Sequence, residues 1–110
     1  MTWCVEYYSS QLQELILALP PGILARYLRL TDLMTQIGPN LGMPHTRAFG
    51  EGLFELRMKG PEGISRVFFC TLIGRRIVML HCFVKKSQKT PPQEIALARR
   101  RLHEVMHENP

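Results

Sequence analysis

The chain has 110 residues, of which 45% are hydrophobic and 21% charged, and its formal net charge at pH 7 is +5. This length predicts a single domain spanning residues 1–110, without room for a separate catalytic module, and the composition argues against disorder. Residues 1–50 hold three arginines against three acidic residues, whereas residues 51–110 hold eleven lysines or arginines against six. A basic half favours a polyanionic partner, nucleic acid first and an acidic protein or membrane surface second; a merely solubilising surface is the alternative.

The sequence offers no sign of a membrane or secretory destination. No apolar run approaches the roughly 20 residues of a membrane span, and the N-terminal MTWCVEYYSS lacks the basic start and apolar core of a secretory signal. We therefore expect a cytoplasmic protein. Cys4, Cys70 and Cys82 form no CxxC pair, which favours free thiols over a disulfide framework or a zinc knuckle.

The first part of the chain predicts one strand and two helices. Thr2–Tyr8 is rich in β-forming residues and is followed by Ser9, a typical helix cap. Apolar residues then recur at helical spacing until Pro20-Pro21-Gly22, and a second helical pattern ends before Gly38-Pro39. These two helices are expected to form a hairpin with one apolar side.

The rest of the chain predicts a loop, three strands and a closing helix. Pro39–Glu51 has no sustained period and is predicted to be a loop. The three strands are predicted at Leu53–Lys59, Ile64–Leu72 and Arg76–Val84. The last two are nearly continuous apolar runs, typical of strands covered on both faces. The closing helix begins at Pro91 or Pro92. The order β-α-α-β-β-β-α predicts an α+β fold, a small antiparallel-rich sheet with the N-terminal helical hairpin packed on one face.

Strand alternation predicts which side chains share a face. In the first of the three strands, Phe54, Leu56 and Met58 lie on one face and Glu55, Arg57 and Lys59 on the other. Uninterrupted alternation in the last strand would place Ile77, Met79, His81, Phe83 and Lys85 together, opposite Val78, Leu80, Cys82, Val84 and Lys86.

The strongest functional feature is a cluster of cations at these strands: Arg57, Arg66, Lys85, Lys86 and Lys89. Antiparallel neighbours lie about 5 Å apart, so these charges are expected to converge. RNA cleavage by an internal 2′-hydroxyl needs a base for the hydroxyl proton, cations for the phosphorane and an acid for the leaving 5′-oxygen. Neighbouring lysines lower one another's pKa, which suits one of them for proton transfer. A patch that binds phosphate without chemistry is the alternative.

Other motifs carry less weight. His103-Glu104-Val105-Met106-His107 fits the HExxH pattern of zinc proteases, but only Glu108, Asn109 and Pro110 follow it, so the usual third ligand is lacking and no metal site is expected. No phosphate-binding loop or nucleophile elbow occurs in the sequence. His81 lies among apolar residues, where a satisfied core or rim histidine is more common than a base.

Three segments closely resemble the phage-derived, HigB-like branch of the RelE/ParE toxin superfamily. They are Gly52–Arg57 (GLFELR), Ser65–Phe69 (SRVFF) and Val78–Pro91 (VMLHCFVKKSQKTP). The helical hairpin, Gly38–Pro44 and the closing helix fit as well, so the resemblance covers most of the chain.

The resemblance implies a RelE-like fold and the toxin of a type II toxin-antitoxin pair, an mRNA endonuclease that works on translating ribosomes and inhibits translation without metal or cofactor. The implied partners are mRNA, the ribosome and a helix-turn-helix, HigA-like antitoxin, in a possible hetero-oligomer. Arg57 and Arg66 would hold the scissile phosphate, and Lys86 with Lys85 would take the place of the basic residue ending the last strand. Further RNA contacts are expected from Lys59, Lys85, Lys89 and Arg99.

Two departures from RelE bear on proton transfer. Leu53 and Glu55 stand where RelE has lysines, and Lys89–Gln93 contains no tyrosine. Glu55, His81 or a lysine would then have to act as the base. Two other functions stay open: gyrase inhibition by binding, as on the ParE side of the superfamily, and a decayed toxin serving as a basic adaptor. Arg99-Arg100-Arg101 would contact rRNA or antitoxin in the adaptor, or be a solvated helix face.

Overall fold

One sheet separates two helical layers in the computed structural model, which describes residues 2–109. Along this part of the chain the elements are β1 (Cys4–Tyr7), α1 (Ser10–Leu17), α2 (Pro21–Ile37), β2 (Thr46–Gly50), β3 (Leu53–Gly60), β4 (Gly63–Leu72), β5 (Arg76–Val84) and α3 (Pro92–Glu108). The strand order is β1-β5-β4-β3-β2. β1 runs parallel to β5 and the other pairs are antiparallel. The predicted α+β fold with an N-terminal helical hairpin on the sheet is confirmed.

The helix boundaries follow the local signals in the sequence. The Ser9 hydroxyl caps α1 by accepting a hydrogen bond from the Leu12 amide at 3.1 Å. Proline occupies the first position of both longer helices, where its missing N–H costs nothing. Gly38, with φ of 107°, follows the last residue of α2. Within residues 2–109, no helix is long and apolar enough to cross a membrane.

Two apolar cores lie on opposite faces of the sheet. The first, between the α1–α2 hairpin and the sheet, includes Ile16, Tyr27, Met34, Leu56, Val67, Phe69 and Met79. The second, between α3 and the sheet, includes Leu53, Phe68, Cys70, Leu80, Ala98 and Leu102. Since β4 and β5 contribute to both cores, the prediction that they are covered on both faces is confirmed. Burial of one large apolar side chain stabilises the fold by about 1.5–3 kcal/mol.

The prediction of a loop throughout Pro39–Glu51 is wrong, because this segment contains β2. β2 is an edge strand of five residues that pairs with β3, Thr46 opposite Leu56 and Arg47 opposite Glu55. Only Thr46 is buried, so the strand carries no apolar alternation. β2 is a strand because its backbone pairs with β3, and the apolar pattern of the sequence does not reveal this pairing.

The uninterrupted alternation predicted for the last strand is also wrong. Phe68 pairs with His81 whereas Phe69 pairs with Met79, so Leu80 is an extra residue in a β-bulge. Beyond the bulge the phase of the strand is reversed: Cys82 joins the hairpin core, and Phe83 packs on the α3 core. The bulge therefore turns Phe83 toward the face that carries Arg66.

The N-terminal turn of α2 packs directly on the β3–β4 turn. The Gly22 amide donates a hydrogen bond to the Glu62 carboxylate at 2.9 Å. A Cβ on Gly22 would lie 2.6 Å from Pro61 Cδ, and a Cβ on Gly60 would lie 3.0 Å from the backbone of Gly22 and Ile23. Glycine is required at both positions because the start of α2 and the β3–β4 turn pack too closely for a side chain between them. This packing fixes the start of α2 beside the end of β3.

We predict that Gly22→Ala destabilises the protein. Alanine in a helix ordinarily stabilises by about 0.5–1 kcal/mol relative to glycine, but here its methyl group would push α2 off the turn, at a cost of about 1–3 kcal/mol. Urea unfolding followed by circular dichroism measures the change. An increase in the free energy of unfolding would contradict the close packing.

Candidate functional site

Arg57 and Arg66 lie side by side on the face of the sheet that carries α3. They are directly opposite each other on β3 and β4, and Arg66 in turn is opposite Phe83 on β5. The neighbouring row across the sheet places Glu55 opposite Phe68. The sheet register therefore brings together the two arginines that the sequence proposed as phosphate ligands.

A buried carboxylate holds this arginine pair. Glu55 Oε1 lies 3.6 Å from Arg66 Nε and 3.8 Å from Arg57 Nε. The side chains of Glu55 and Arg66 are 2% and 6% exposed, whereas that of Arg57 is 25% exposed. Burial lowers the pKa of Arg66; the negative charge of Glu55 opposes that shift and Arg57 adds to it. The guanidinium keeps its charge, because arginine titrates far above neutrality.

The buried Arg66 is not fully satisfied by the protein. Its Nη1 donates to the Ser65 carbonyl at 3.2 Å, but Nε and the Ser65 hydroxyl have no hydrogen-bond partner among residues 2–109. Buried polar groups in proteins are nearly always paired, and an unpaired charged donor is costly. Since Nε is buried and faces Glu55, an anion in the adjoining depression would have to contact other atoms of Arg66.

Two lysines complete an open depression of about 530 Å³ above the arginines. It is lined by Arg57, Ile64, Arg66, Lys85, Lys86, Ser87 and Gln88. The Lys85 amide donates to the Ile64 carbonyl at 2.8 Å, which fixes the chain just past the end of β5 beside the start of β4. Partial burial, with the charges of Arg66, Arg57 and Arg47 adding and Glu55 opposing, lowers the pKa of Lys85.

A second depression, of about 400 Å³, adjoins the first and shares Arg57, Ile64 and Arg66 with it. We call the two together the basic groove. The new side chains here are Arg26, Pro44, His45, Met58 and Lys59. The sequence analysis did not single out His45, which is one of four histidines and lies in the segment predicted to be a loop. It lines the groove because the Arg57 amide donates to the His45 carbonyl at 2.8 Å. Its imidazole makes no hydrogen bond within the described part of the chain.

His81 lies outside the basic groove. Its Nε2 is 2.8 Å from the Glu94 carboxylate, in the first turn of α3, and its ring stacks on Phe83 with a centroid distance of 5.9 Å. The stack continues from Phe83 to Phe68, at 5.7 Å. These contacts suit a role in docking α3 on the sheet; the catalytic role proposed for His81 from the sequence stays a prediction.

The predicted RNA contacts are distributed over several surfaces. Lys85 and Lys59 line the basic groove. Lys89 is exposed in the segment that follows β5. Arg99 lies on α3 and donates to the carbonyls of Phe49 and Gly50, at 3.0 and 3.3 Å. Two of its donors are therefore engaged in holding α3 against the end of β2.

Between Thr2 and Asn109, no group of three or more His, Cys, Asp or Glu side chains is arranged to hold a metal ion. Within the HExxH sequence, the Glu104 carboxylate accepts a hydrogen bond from the Tyr8 hydroxyl. This contact ties α3 to the segment between β1 and α1.

We predict that Glu55→Gln destabilises the protein, because Arg66 would be left buried without its counter-charge. Loss of one partner of a buried ion pair costs about 3–5 kcal/mol. The double variant Glu55→Gln/Arg66→Gln removes both charges and should be less destabilised than Glu55→Gln alone. Urea unfolding of the four proteins of this cycle measures the coupling. Additive effects would contradict a structural ion pair.

Comparisons with known proteins identify the family and the fold of the chain. Residues 14–103 match the family described as phage derived protein Gp49-like (DUF891). Among curated proteins, none is significantly similar to the sequence. A RelE chain in the crystal structure of the archaeal RelE-RelB complex from Pyrococcus horikoshii OT3 is similar in structure, with a TM-score of 0.57 and 19% identity over 78% of this chain and 98% of that one. The chain therefore belongs to the phage-derived Gp49-like family and has a RelE-like fold.

Proposed function

We propose that this protein is the toxin of a type II toxin-antitoxin pair, and that it inhibits translation by cleaving mRNA on translating ribosomes. The scissile phosphate binds in the basic groove, and the RNA's own 2′-hydroxyl is the nucleophile. The reaction yields a 2′,3′-cyclic phosphate and a free 5′-hydroxyl, and it uses no metal or cofactor.

The observation that carries this proposal is the pair Arg57 and Arg66 over the buried Glu55. Arg66 is 5% exposed, and its Nε lacks a hydrogen-bond partner within residues 2–109. A purely solubilising charge would be exposed and hydrated. Burial in contact with an open groove is typical of a preorganised anion site, which stabilises charge that develops in a transition state.

The basic groove offers a candidate side chain for each proton transfer. In the proposed reaction His45 removes the 2′-hydroxyl proton as the oxygen attacks phosphorus. Arg57, Arg66 and Lys86 stabilise the negative charge on the phosphorane. Lys85, whose pKa is lowered by partial burial and by neighbouring cations, gives its proton to the leaving 5′-oxygen. Glu55 positions the two arginines.

The proposed partners follow from the same function. The archaeal RelE chain was solved in complex with RelB, and we propose that this protein likewise binds an antitoxin, one with a helix-turn-helix domain. The ribosome and its mRNA are the proposed targets. The net charge of +5 suits contact with RNA.

Arg66→Lys should lower the rate of mRNA cleavage about 10²-fold or more. Lysine keeps the charge but cannot present two parallel N–H donors to a phosphate, and loss of one preorganised donor to a developing oxyanion costs about 10²–10³-fold. Cleavage is measured in a purified translation system by mapping the new 5′ ends of a reporter mRNA. The matched control is Arg100→Lys, at an exposed arginine of α3.

Toxicity without mRNA cleavage would contradict the proposal. If Arg66→Lys stays toxic in cells and wild-type protein causes DNA breaks, the gyrase function of the ParE side of the superfamily is favoured instead. Unchanged cleavage by Arg66→Lys would remove Arg66 from the reaction.

His45→Gln should lower the cleavage rate about 10²-fold, the ordinary contribution of a general base, without weakening RNA binding. His81→Gln is the matched control: it removes the imidazole that lies against Glu94 and stacks on Phe83, and it should lower the melting temperature while cleavage at 25 °C stays near the wild-type rate. A larger loss of cleavage in His81→Gln than in His45→Gln would assign proton transfer to His81.

A further inference from the structure

A third depression extends the basic groove toward α2. Its volume is about 260 Å³, and it is lined by Gly22, Ala25, Arg26, Arg29, Lys59, Gly60 and Pro61. Arg26 and Lys59 also line the groove, so the two surfaces are continuous. We call the groove and this extension together the basic track.

The extension exists because α2 and the β3–β4 turn meet backbone to backbone. Gly22 and Gly60 allow the start of α2 to approach the turn without a side chain between them. Arg26 and Arg29, one turn apart on α2, are thereby brought beside Lys59 at the end of β3.

The cations of the extension are unpaired within residues 2–109. No ion pair or hydrogen bond in the described residues involves the side chains of Arg26, Arg29 or Lys59. Glu62, an exposed acidic residue next to the extension, accepts a hydrogen bond from the Gly22 amide through its carboxylate. From end to end the track is lined by Arg29, Arg26, Lys59, Arg57, Arg66, Lys85 and Lys86, and no aspartate or glutamate lines it.

We propose that the basic track binds the sugar-phosphate backbone of single-stranded RNA, with the scissile phosphate at the arginine pair and the two lysines that follow β5, and with Arg26 and Arg29 holding phosphates on one side of it. This inference rests on the proposed function, and it adds a substrate-binding surface remote from the reacting atoms. Nucleic-acid backbone contacts are made mainly by arginine and lysine and carry no sequence preference.

The proposed substrate, mRNA, favours a flexible single strand as the occupant of the track. The track runs from α2, past the β3–β4 turn, to the segment after β5, so the strand contacts three separate parts of the fold. Duplex nucleic acid is stiff on this scale. Seven arginines and lysines follow one another along the track, which suits the repeated phosphates of a nucleic-acid strand.

The test is the salt dependence of RNA binding. A fluorescent single-stranded RNA with every 2′-hydroxyl methylated cannot be cleaved, and its affinity for the full chain is measured by anisotropy between 50 and 300 mM KCl. Each phosphate contact on a single strand contributes about 0.7 to the slope of log K against log salt. Arg26→Gln/Arg29→Gln should therefore reduce the magnitude of the slope by about 1.4.

The matched control is Arg75→Gln/Arg100→Gln, which removes the same charge from exposed positions outside the track. Its slope should equal that of the wild type. Equal slopes for the two double variants would overturn the proposal. A second result would also overturn it: the wild type binds a polyglutamate peptide more tightly than the RNA, and Arg26→Gln/Arg29→Gln abolishes the binding of the peptide. This result would identify the track as a protein-binding surface.

The binding test is independent of catalysis. If Arg26→Gln/Arg29→Gln lowers the slope while the wild type fails to cleave mRNA, the track stands and the proposed nuclease activity does not. If the wild type cleaves mRNA but Arg26→Gln/Arg29→Gln has the same salt slope as the wild type, RNA reaches the arginine pair by another route, and the track proposal is wrong.

Discussion

The contact of Glu55 with Arg57 and Arg66 is the interaction on which the candidate site depends. A buried carboxylate and a buried guanidinium are each costly, and each is tolerated because the other is close. The pairing keeps two arginines at fixed positions on neighbouring strands instead of letting them extend into solvent. The same contact explains why an acidic residue lies in the middle of a basic surface: it orients the cations without exposing its own charge to an anion bound above them.

The bulge at Leu80 is the second constraint. β5 has to contribute apolar side chains to two cores, and the extra residue lets it do so while reversing its phase near its end. Phe83 then stacks on Phe68 and lies opposite Arg66 on the neighbouring strand. Without the bulge the end of β5 would turn the same side chains toward the helical hairpin. Bulges often re-aim a strand beside functional sites, and here the bulged strand leads directly into Lys85 and Lys86.

The two faces of the sheet serve different purposes. The hairpin side is a continuous core with buried residues from β3, β4 and β5, and Val5 and Tyr7 of the edge strand β1 pack against it. The α3 side is a core in one part and an open cationic groove in another: α3 packs over Phe68, Cys70 and Leu80, whereas Arg57 is partly exposed and the buried Arg66 borders the groove. Arg99 and the His81–Glu94 contact hold α3 in that position. Two residues that the sequence proposed for RNA binding or catalysis, Arg99 and His81, thus make contacts that hold α3, whereas the arginine pair, Lys85 and Lys86 line the groove.

Local sequence signals by themselves determined the helices, the three long strands, the Ser9 cap and the pairing of Arg57 with Arg66 as neighbours. All of these depend on periodicity, on residues next to each other in the chain, or on a hairpin closed by a short turn. Tertiary structure alone decided the edge strand β2, the reversed phase of β5, the partner of His81 and the position of His45 in the groove. Each of these depends on backbone pairing or on contacts between distant segments, such as Arg57 with His45 or His81 with Glu94. The arginines and lysines in the sequence indicated a surface that binds phosphate, but long-range packing decided which of these side chains line the groove and which are engaged in contacts with other parts of the fold.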